Sequence, residues 1–368
     1  IMALSKIDTT NMIEDVPQSK LDNNINFRNI IINGDMSIAQ RSTSATASDA
    51  SYNTCDRWRT TQQSLGVFTQ SQSTTVPTGQ GFSSSLKMDC TTADASPAVS
   101  DRLLVEQRFE GQNLQYLKKG TSSAESLTCS FWVRSNKTGT YIVNLYDAIN
   151  DRAISKSYTI SSADTWEKKT ITFPGDTTGA FNNDNANNLN IRFYLGAGTN
   201  FTSGTLQTSW GSNSNANTAV GQVNLADSTS NEWYITGVQL EAGEVASDFE
   251  FLPVDVNLGR CLRYYEKIVS GASASITVGA NYTSTDVYSV LTYTVKRTAP
   301  SLDQTTGSNY YQHVRRSSTS GFSQFLSNQI FNNQLRLYVT GIGSTTTGTA
   351  GWFATLNANA YIAVDAEL

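Results

Sequence analysis

Short segments in which apolar and polar residues alternate recur along most of the chain, and they constrain its fold more than any other feature. Clear examples lie at 127–133, 141–145 and 191–195, each with large apolar residues at every second position. A period of two places alternate side chains on opposite faces of a strand, so each segment buries one face. Polar loops such as 182–187 and 209–217 separate the segments. Many short strands joined by polar turns predict an all-β protein, with a jelly roll or a similar β-sandwich.

One segment has instead the period of an α-helix. Between positions 256 and 269, apolar residues fall at spacings that form a single stripe on a helix. These residues are Leu258, Cys261, Leu262, Tyr265 and Val269. Pro253 precedes the stripe and Gly271 follows it, as expected at helix boundaries. Because the alternation resumes afterwards, the helix marks a boundary between two β domains.

These patterns divide the 368 residues into four parts, since a chain of this length is too long for one ordinary core. They are an N-terminal attachment arm (1–28), a jelly-roll domain (29–252), a connecting helix (253–269) and a smaller C-terminal β-sandwich domain (270–368). The apolar residues of the arm are too irregularly spaced to form a core, namely Leu4, Ile7, Met12, Ile13 and Val16. Two interpretations stay open: a terminus without fixed structure, or an arm that orders only against a partner protein, which we favour.

The charge balance excludes several classes of partner. Only 15% of the residues are charged, the net charge is −5, and no long basic run occurs. Affinity for nucleic acid comes largely from neutralising phosphates, so we expect no nucleic-acid partner. No stretch approaches the ~20 apolar residues of a membrane helix, and the N-terminal residues lack an apolar signal-peptide core. We therefore expect no membrane insertion and no export by that route.

Two features bear on metal binding. The cysteines are scattered without any C-x-x-C pair, which suits buried free thiols rather than disulfides or zinc ligation. They are Cys55, Cys90, Cys129 and Cys261. The Asx-rich loop 182–187 offers oxygens that a calcium ion could use, but a plain polar loop explains it better. We expect no metal site and no cofactor.

Residues for a catalytic centre are scarce. His313 is the only histidine, which excludes histidine-based triads and multi-histidine metal sites within one chain. Two acid pairs, Asp147 with Asp151 and Glu241 with Glu244, are candidates for glycoside hydrolysis. Acids this close in sequence are common in any protein. We therefore expect that the chain is not an enzyme.

Aromatic residues outside the alternating segments are candidates for recognition, because sugar-binding proteins lay planar rings against pyranoses. Trp210 lies among small polar residues, so we expect it to be exposed, for recognition or for packing onto a neighbouring chain. A second cluster, in a segment that reads as a loop, comprises Tyr310, Tyr311, His313 and Arg315. We predict glycan binding at these five residues, with packing between chains as the alternative for the tyrosines. The other tryptophans are expected in the core, at positions 58, 132, 166, 233 and 352.

Several short motifs occur in a characteristic order. They are NIIINGDMSIAQR at 29–41, CDRW at 55–58, FWVRS at 131–135, TFPG at 172–175, GVQLEAG at 237–243 and RCLRYYE at 260–266. Each motif is weak alone, but the ordered set resembles a tail-fibre family of marine tailed bacteriophages such as cyanophages. The resemblance covers roughly residues 29–266 and continues more weakly to the C-terminus.

The resemblance implies a jelly roll like that of carbohydrate-binding modules, a helix, and a distal β domain. It also implies a homotrimer in the virion, in its tail or fibre, after assembly in the host cytoplasm. We expect an adhesin that binds host surface polysaccharide and is attached to other virion proteins through the arm. A purely structural head or tail decoration or adaptor protein is the first alternative, and a polysaccharide-degrading tailspike is the second. No catalytic residue carries over, because the shared motifs look structural.

Overall fold

The computed structural model describes residues 27–316, 318–342 and 346–368. Within these ranges the regular secondary structure is nearly all β, arranged as a jelly-roll sandwich, a short helix and a second, smaller sandwich. The predicted fold class is confirmed. The predicted attachment residues lie outside the described residues, namely Leu4, Ile7, Met12, Ile13 and Val16.

The first sandwich consists of two antiparallel sheets that share one core. Its strands are β1 (Ser44–Thr46), β2 (Ser51–Tyr52), β3 (Arg59–Gln63), β4 (Val67–Ser73), β5 (Ser85–Thr92), β6 (Arg102–Glu110), β7 (Leu127–Ser135), β8 (Gly139–Asp147), β9 (Arg152–Ile160), β10 (Glu167–Phe173), β11 (Asn187–Ala197), β12 (Gly211–Ser212) and β13 (Glu232–Ala242). One sheet has the order β1-β4-β5-β13-β7-β10, and the other has the order β12-β9-β8-β11-β6-β3-β2.

Every second side chain of each strand points inward, and these side chains fill the space between the two sheets. Phe131 of β7 and Phe193 of β11 meet with ring centroids 5.2 Å apart, and Trp58 and Trp233 are fully buried beside Phe193. Burying one such side chain contributes about 1.5–3 kcal/mol. The alternation that predicts the strands therefore also builds the core.

Short helices lie in the connections. They are α1 (Thr199–Thr202) and the 3₁₀ turns Gly111–Asn113, Gln115–Leu117, Asn215–Asn217 and Leu225–Asp227. Phe201 of α1 packs against Leu104, Ile142 and Tyr194 on the seven-stranded sheet. These three residues have the opposite parity to the core residues, so α1 covers part of the outer surface of that sheet.

The connecting helix is shorter than the sequence predicts. Helix α2 spans Val254–Leu262, and β14 (Tyr265–Ser270) is a strand rather than the last turns of that helix. The prediction of a helix over 253–269 is therefore wrong in its second half. A four-residue apolar spacing fits one face of a strand as well as one face of a helix, so periodicity alone could not decide. Pairing of β14 with β23 (Tyr361–Asp365) decides it.

The second sandwich begins with β14 and has a three-stranded and a seven-stranded sheet. Its other strands are β15 (Ser275–Asn281), β16 (Val287–Thr292), β17 (Ser301–Gln304), β18 (Tyr311–Val314), β19 (Thr319–Phe322), β20 (Leu326–Asn328), β21 (Gln334–Val339) and β22 (Ala350–Thr355). The small sheet has the order β14-β23-β17, and the large one has the order β19-β18-β22-β15-β16-β21-β20. Tyr311, Phe322, Phe325 and Phe353 form an aromatic cluster in the core between them, with ring centroids 4.8–5.8 Å apart.

A charged, buried interface joins the two sandwiches. Arg57 is fully buried and pairs with Glu367, while Arg41 pairs with Asp365 at 2.9 Å and with Glu367 at 3.4 Å. The Arg57 guanidinium also lies 3.5 Å from the ring centroid of Tyr264. An apolar cluster at the same interface comprises Ile32, Ile38, Leu258, Cys261, Tyr264 and Leu368. The two sandwiches are therefore held together by packing as well as by the chain.

Further expectations can be compared with the same described residues. The four cysteines are buried and free, as predicted. No described helix is long and apolar enough to cross a membrane. Nor do the described ranges contain a group of three or more His, Cys, Asp or Glu side chains that could hold a metal ion.

Candidate functional site

Trp210 is not the exposed tryptophan that the sequence predicts. It is half-buried and packs against the core of the first sandwich. Its Nε1 donates a hydrogen bond to the Pro174 carbonyl oxygen at 2.7 Å, and the Lys119 ammonium lies 5.5 Å from its ring centroid. The following residues, Gly211–Ser212, pair with β9, which fixes the loop against the sheet. Trp210 thus has a structural role that its polar neighbours in sequence do not reveal.

The predicted glycan-binding cluster in the C-terminal domain is also not one exposed loop. Tyr311 and His313 lie on β18, and both side chains are fully buried. The Tyr311 hydroxyl donates to the backbone oxygens of Thr305 and Tyr361 at 2.9 and 2.7 Å. Tyr310 is half-buried against the same core. The prediction of an exposed site is wrong for Tyr311 and His313, because β18 alternates and these two residues share its inward parity.

Arg315 does lie at the surface, directly after β18. Its guanidinium donates to Ser318 Oγ at 3.0 Å, to Ser320 Oγ at 2.8 Å and to His313 Nδ1 at 3.2 Å. Burial first, and then the charge of Arg315, lower the pKa of His313 to about 4. The imidazole is therefore neutral near pH 7 and can accept the hydrogen bond. All three partners of Arg315 are uncharged, so its positive charge is not compensated.

The exposed tryptophan is Trp352, which the sequence pattern places in the core. Its side chain is 46% exposed on β22, while the next residue, Phe353, points inward and is fully buried. Strand register places Trp352 beside Val314 on one side and Val278, itself 68% exposed, on the other. The predicted burial is confirmed for Trp58 and Trp233 and is wrong for Trp352, while Trp132 and Trp166 are only half-buried. Alternation shows that only one of Trp352 and Phe353 can point inward, and the packing of Phe353 against Phe325 shows that it is Phe353.

Trp352 and two arginines line one shallow, open depression. Its walls are formed by Val278, Val314, Arg315, Arg316, Ala350, Gly351 and Trp352. Gly351 leaves the space in which His313 and Arg315 sit, because a Cβ there would come within 2.5 Å of His313 Nε2. We call this depression the Trp352 site.

A row of tyrosines continues across the same face of the sheet. Tyr288 and Tyr338 pair across β16 and β21 and stack with centroids 5.1 Å apart. Tyr282 is 71% exposed and packs edge-on against Tyr288 at 5.0 Å. The Arg336 guanidinium lies 5.2 Å from the ring centroid of Tyr288. We call these three rings the tyrosine ladder, and we call the Trp352 site and the ladder together the outer face.

The strands of the outer face carry mainly aromatic, apolar and neutral polar side chains. The seven strands of its sheet contain no Asp or Glu, and besides tyrosines their only ionisable residues are His313 and Arg336. Aromatic rings offer apolar area, and guanidinium groups offer hydrogen-bond donors. This combination suits a ligand that is flat, rich in hydroxyls and able to accept hydrogen bonds.

The acid pairs considered as candidates for hydrolysis lie in the first sandwich. Asp147 is buried and accepts a hydrogen bond from Lys119 Nζ at 2.5 Å, whereas Asp151 is exposed. Glu241 is buried and accepts from Ser247 Oγ at 2.6 Å, whereas Glu244 is exposed. In each pair, therefore, one carboxylate is fixed in the interior and the other lies in solvent.

The Asx-rich loop 182–187 is occupied by internal contacts. Asp184 Oδ1 accepts from the Ala186 backbone at 3.1 Å and from Asn188 Nδ2 at 3.0 Å. The Asn185 carbonyl oxygen accepts from Arg297 Nη1 at 3.0 Å, which links the loop to the second sandwich. The loop therefore contributes to the contact between the sandwiches.

Comparison with known proteins finds structural likeness only. No protein-family model and no curated protein matches the chain. Among solved structures, the chain is similar to the enzymatically active domain of tailspike protein 4 of bacteriophage CBA120, with 14% identity and a TM-score of 0.31 over 58% of this chain. The match spans only 21% of that tailspike chain.

Carbohydrate-binding modules are also among the similar structures. One is TmCBM61 in complex with β-1,4-galactotriose, with 10% identity and a TM-score of 0.31 over 58% of this chain and 99% of that one. Another is the family 11 module of a cellulosomal cellulase of Clostridium thermocellum, with 13% identity and a TM-score of 0.25 over 54% of this chain and 94% of that one. These scores are low, so the fold description rests on the strand order and register given above.

Proposed function

We propose that the chain is a non-enzymatic subunit of a phage fibre, in which the outer face binds glycans on a bacterial surface. The observation that carries the proposal is the exposed Trp352, which lies on a rigid sheet between two valines and beside Arg315 and Arg316. A large ring in such a position loses little entropy on binding and offers a flat apolar surface to a sugar ring.

The phage context rests on the motif order within residues 29–266, which resembles marine tail fibres. A fibre subunit works by multivalent, reversible binding. Single-site contacts on the order of millimolar become effectively tight when several copies act together. Host surface polysaccharide is the proposed ligand, and other virion proteins are the proposed partners of the N-terminal arm.

We expect the protein to be a homotrimer, since closed point-group symmetry is usual for such assemblies. Light scattering at micromolar concentration should give a mass three times the 40.0 kDa of one chain. A monomer at every accessible concentration would contradict this part of the proposal.

A second candidate function is purely structural, as a decoration or adaptor protein. The observation that favours it is the apolar part of the outer face, where Val278 and Val290 are 68% and 54% exposed. Exposed apolar patches also mark contacts between proteins. In that case another virion subunit would cover the outer face, and purified protein would bind no glycan.

Replacing Trp352 by alanine separates these functions. We expect the affinity for host surface polysaccharide to fall roughly thirtyfold, which corresponds to about 2 kcal/mol for a central aromatic contact. The melting temperature should change little, because a half-exposed side chain contributes less than about 1 kcal/mol to stability. Isothermal titration calorimetry and thermal melting measure the two quantities on the same preparation.

The matched control is Tyr116→Ala, which removes an exposed aromatic side chain from the first sandwich. It should leave glycan binding unchanged. Equal affinity for wild type and Trp352→Ala would contradict the proposed site. Release of new reducing ends during incubation with polysaccharide would instead support the tailspike enzyme.

A further inference from the structure

The second sandwich differs in charge from the rest of the chain. Residues 271–368 contain five basic residues (Lys296, Arg297, Arg315, Arg316 and Arg336) and four acidic ones (Asp286, Asp303, Asp365 and Glu367), a difference of +1, whereas the whole chain carries −5. Asp365 and Glu367 are engaged by Arg41 and Arg57 of the first sandwich. Asp303 accepts hydrogen bonds from the Tyr265 and Tyr361 hydroxyls. Lys296 is buried against Glu266, and Arg297 binds backbone oxygens at the interface between the sandwiches. The other three basic residues, Arg315, Arg316 and Arg336, lie at the outer face, where Asp286 at its edge is the one acidic residue of the four that remains. The outer face is therefore more positive than the acidic protein as a whole.

Arg315 and Arg336 of this face are held in place by neutral partners, and no acidic side chain neutralises them. The three partners of Arg315 are uncharged, as described above, and they use three of the five guanidinium N–H groups. Arg336 Nε donates to Asn328 Oδ1 at 2.6 Å, again a neutral partner. Arg316 is exposed, and within the described ranges none of the three arginines forms a salt bridge. Each guanidinium thus keeps its charge and free donors for a ligand.

We propose that the outer face selects acidic glycans, with the ring of Trp352 against a sugar and Arg315 and Arg316 on its carboxylate or sulfate group. This rests on the proposed glycan-binding function and adds the chemical class of the ligand. Guanidinium groups bind carboxylate and sulfate oxygens through two parallel hydrogen bonds, which a neutral sugar cannot replace. A guanidinium already oriented by His313, Ser318 and Ser320 loses little further freedom when it binds.

The test compares polysaccharides that share a sugar backbone and differ in whether it carries acidic groups. The probes are polygalacturonate against its methyl ester, and dextran sulfate against dextran, each measured by calorimetry with the full-length protein. We expect the acidic member of at least one pair to bind about tenfold more tightly than the neutral member. We also expect this preference to weaken as salt rises from 50 to 500 mM. The two pairs distinguish a carboxylate from a sulfate ligand.

Substitutions of the arginines test whether these residues cause the preference for acidic polysaccharides. Arg315→Gln with Arg316→Gln should abolish the preference, whereas Lys118→Gln with Lys168→Gln removes the same charge from exposed sites on the first sandwich and should leave it unchanged. Arg316→Gln alone should reduce the preference. It is the informative variant if loss of the Arg315 contacts destabilises the sheet, because Arg316 has no partner in the described part of the chain.

The outcomes separate the two proposals. Equal binding of acidic and neutral probes, weakened by Trp352→Ala but not by the arginine variants, overturns the acidic selectivity and leaves glycan binding intact. Poly-L-glutamate is a polyanion without sugar rings. If it binds as tightly as the acidic glycans and independently of Trp352, the face attracts any polyanion and the proposed selectivity for acidic glycans is wrong. Absence of binding to every polysaccharide, including that of the host, overturns the proposed function itself.

Discussion

Arg57→Ala should lower the free energy of unfolding by about 3 kcal/mol, because it breaks a buried ion pair. Arg57 is fully buried, pairs with Glu367 and donates to the Arg108 carbonyl oxygen at 2.8 Å. Its removal leaves the Glu367 carboxylate in the interface with Arg41 as its remaining partner, at 3.4 Å. Because Arg41 still compensates part of the charge, we expect the lower end of the 3–5 kcal/mol usual for broken buried pairs.

Chemical denaturation at constant pH measures this loss. The matched control is Lys118→Ala, which breaks the exposed pair with Glu125 and should cost less than about 1 kcal/mol. If both variants lose equally little, the interface between the sandwiches does not depend on the buried arginine, and the two domains are coupled more weakly than described above.

As the pH decreases from 6.5 to 4, the titration of His313 should lower the free energy of unfolding by about 3 kcal/mol. Burial is the main cause that lowers the pKa of His313 from 6.5 to about 4, and the charge of Arg315 is the second. Between these values the unfolded chain binds a proton that the folded chain does not. The stabilisation is therefore complete above pH 6.5, is lost as the pH falls, and changes no further below about pH 4.

His313→Gln provides the reference, because it cannot titrate and keeps an oxygen that can accept from Arg315. The stability of the wild type minus that of His313→Gln should increase from pH 4 to pH 7, while contributions from carboxylates cancel. A difference that is constant over this range would mean that His313 titrates normally in the folded protein. It would then not be a neutral partner for Arg315.

The fold class followed from alternation because a period of two has one geometric meaning when many segments share it. For a single short segment, the same periodicity could not distinguish a strand from a helix. Tyr265 and Val269 lie four residues apart, a spacing that a helix and a strand both place on one face. The deciding contact is with Tyr361–Asp365, almost a hundred residues later, and no local pattern reports it.

The site was harder to predict than the fold. Alternation in a sequence shows which residues share one face of a strand, but it does not show which face is buried. In the pair Trp352 and Phe353 one ring must point outward, and only the packing of Phe353 on the cluster around Phe325 shows which. For Trp210 the polar neighbours suggested exposure, but the ring packs against the core of the first sandwich. Arg315 alone of the predicted residues lines the outer face, because it follows the last residue of β18, whereas Tyr311 and His313 lie within the strand on its inward side.

Hydroxyl-radical footprinting with and without host surface polysaccharide tests the central claim most directly. Glycan binding at the outer face requires that Trp352 is reactive in the free protein and protected in the complex, while Trp210 reacts equally in both states. Protection that falls elsewhere, with Trp352 unchanged, would contradict the proposed site. A Trp352 that is already unreactive in the free protein would show that another subunit covers the outer face, and would contradict its role in binding glycans.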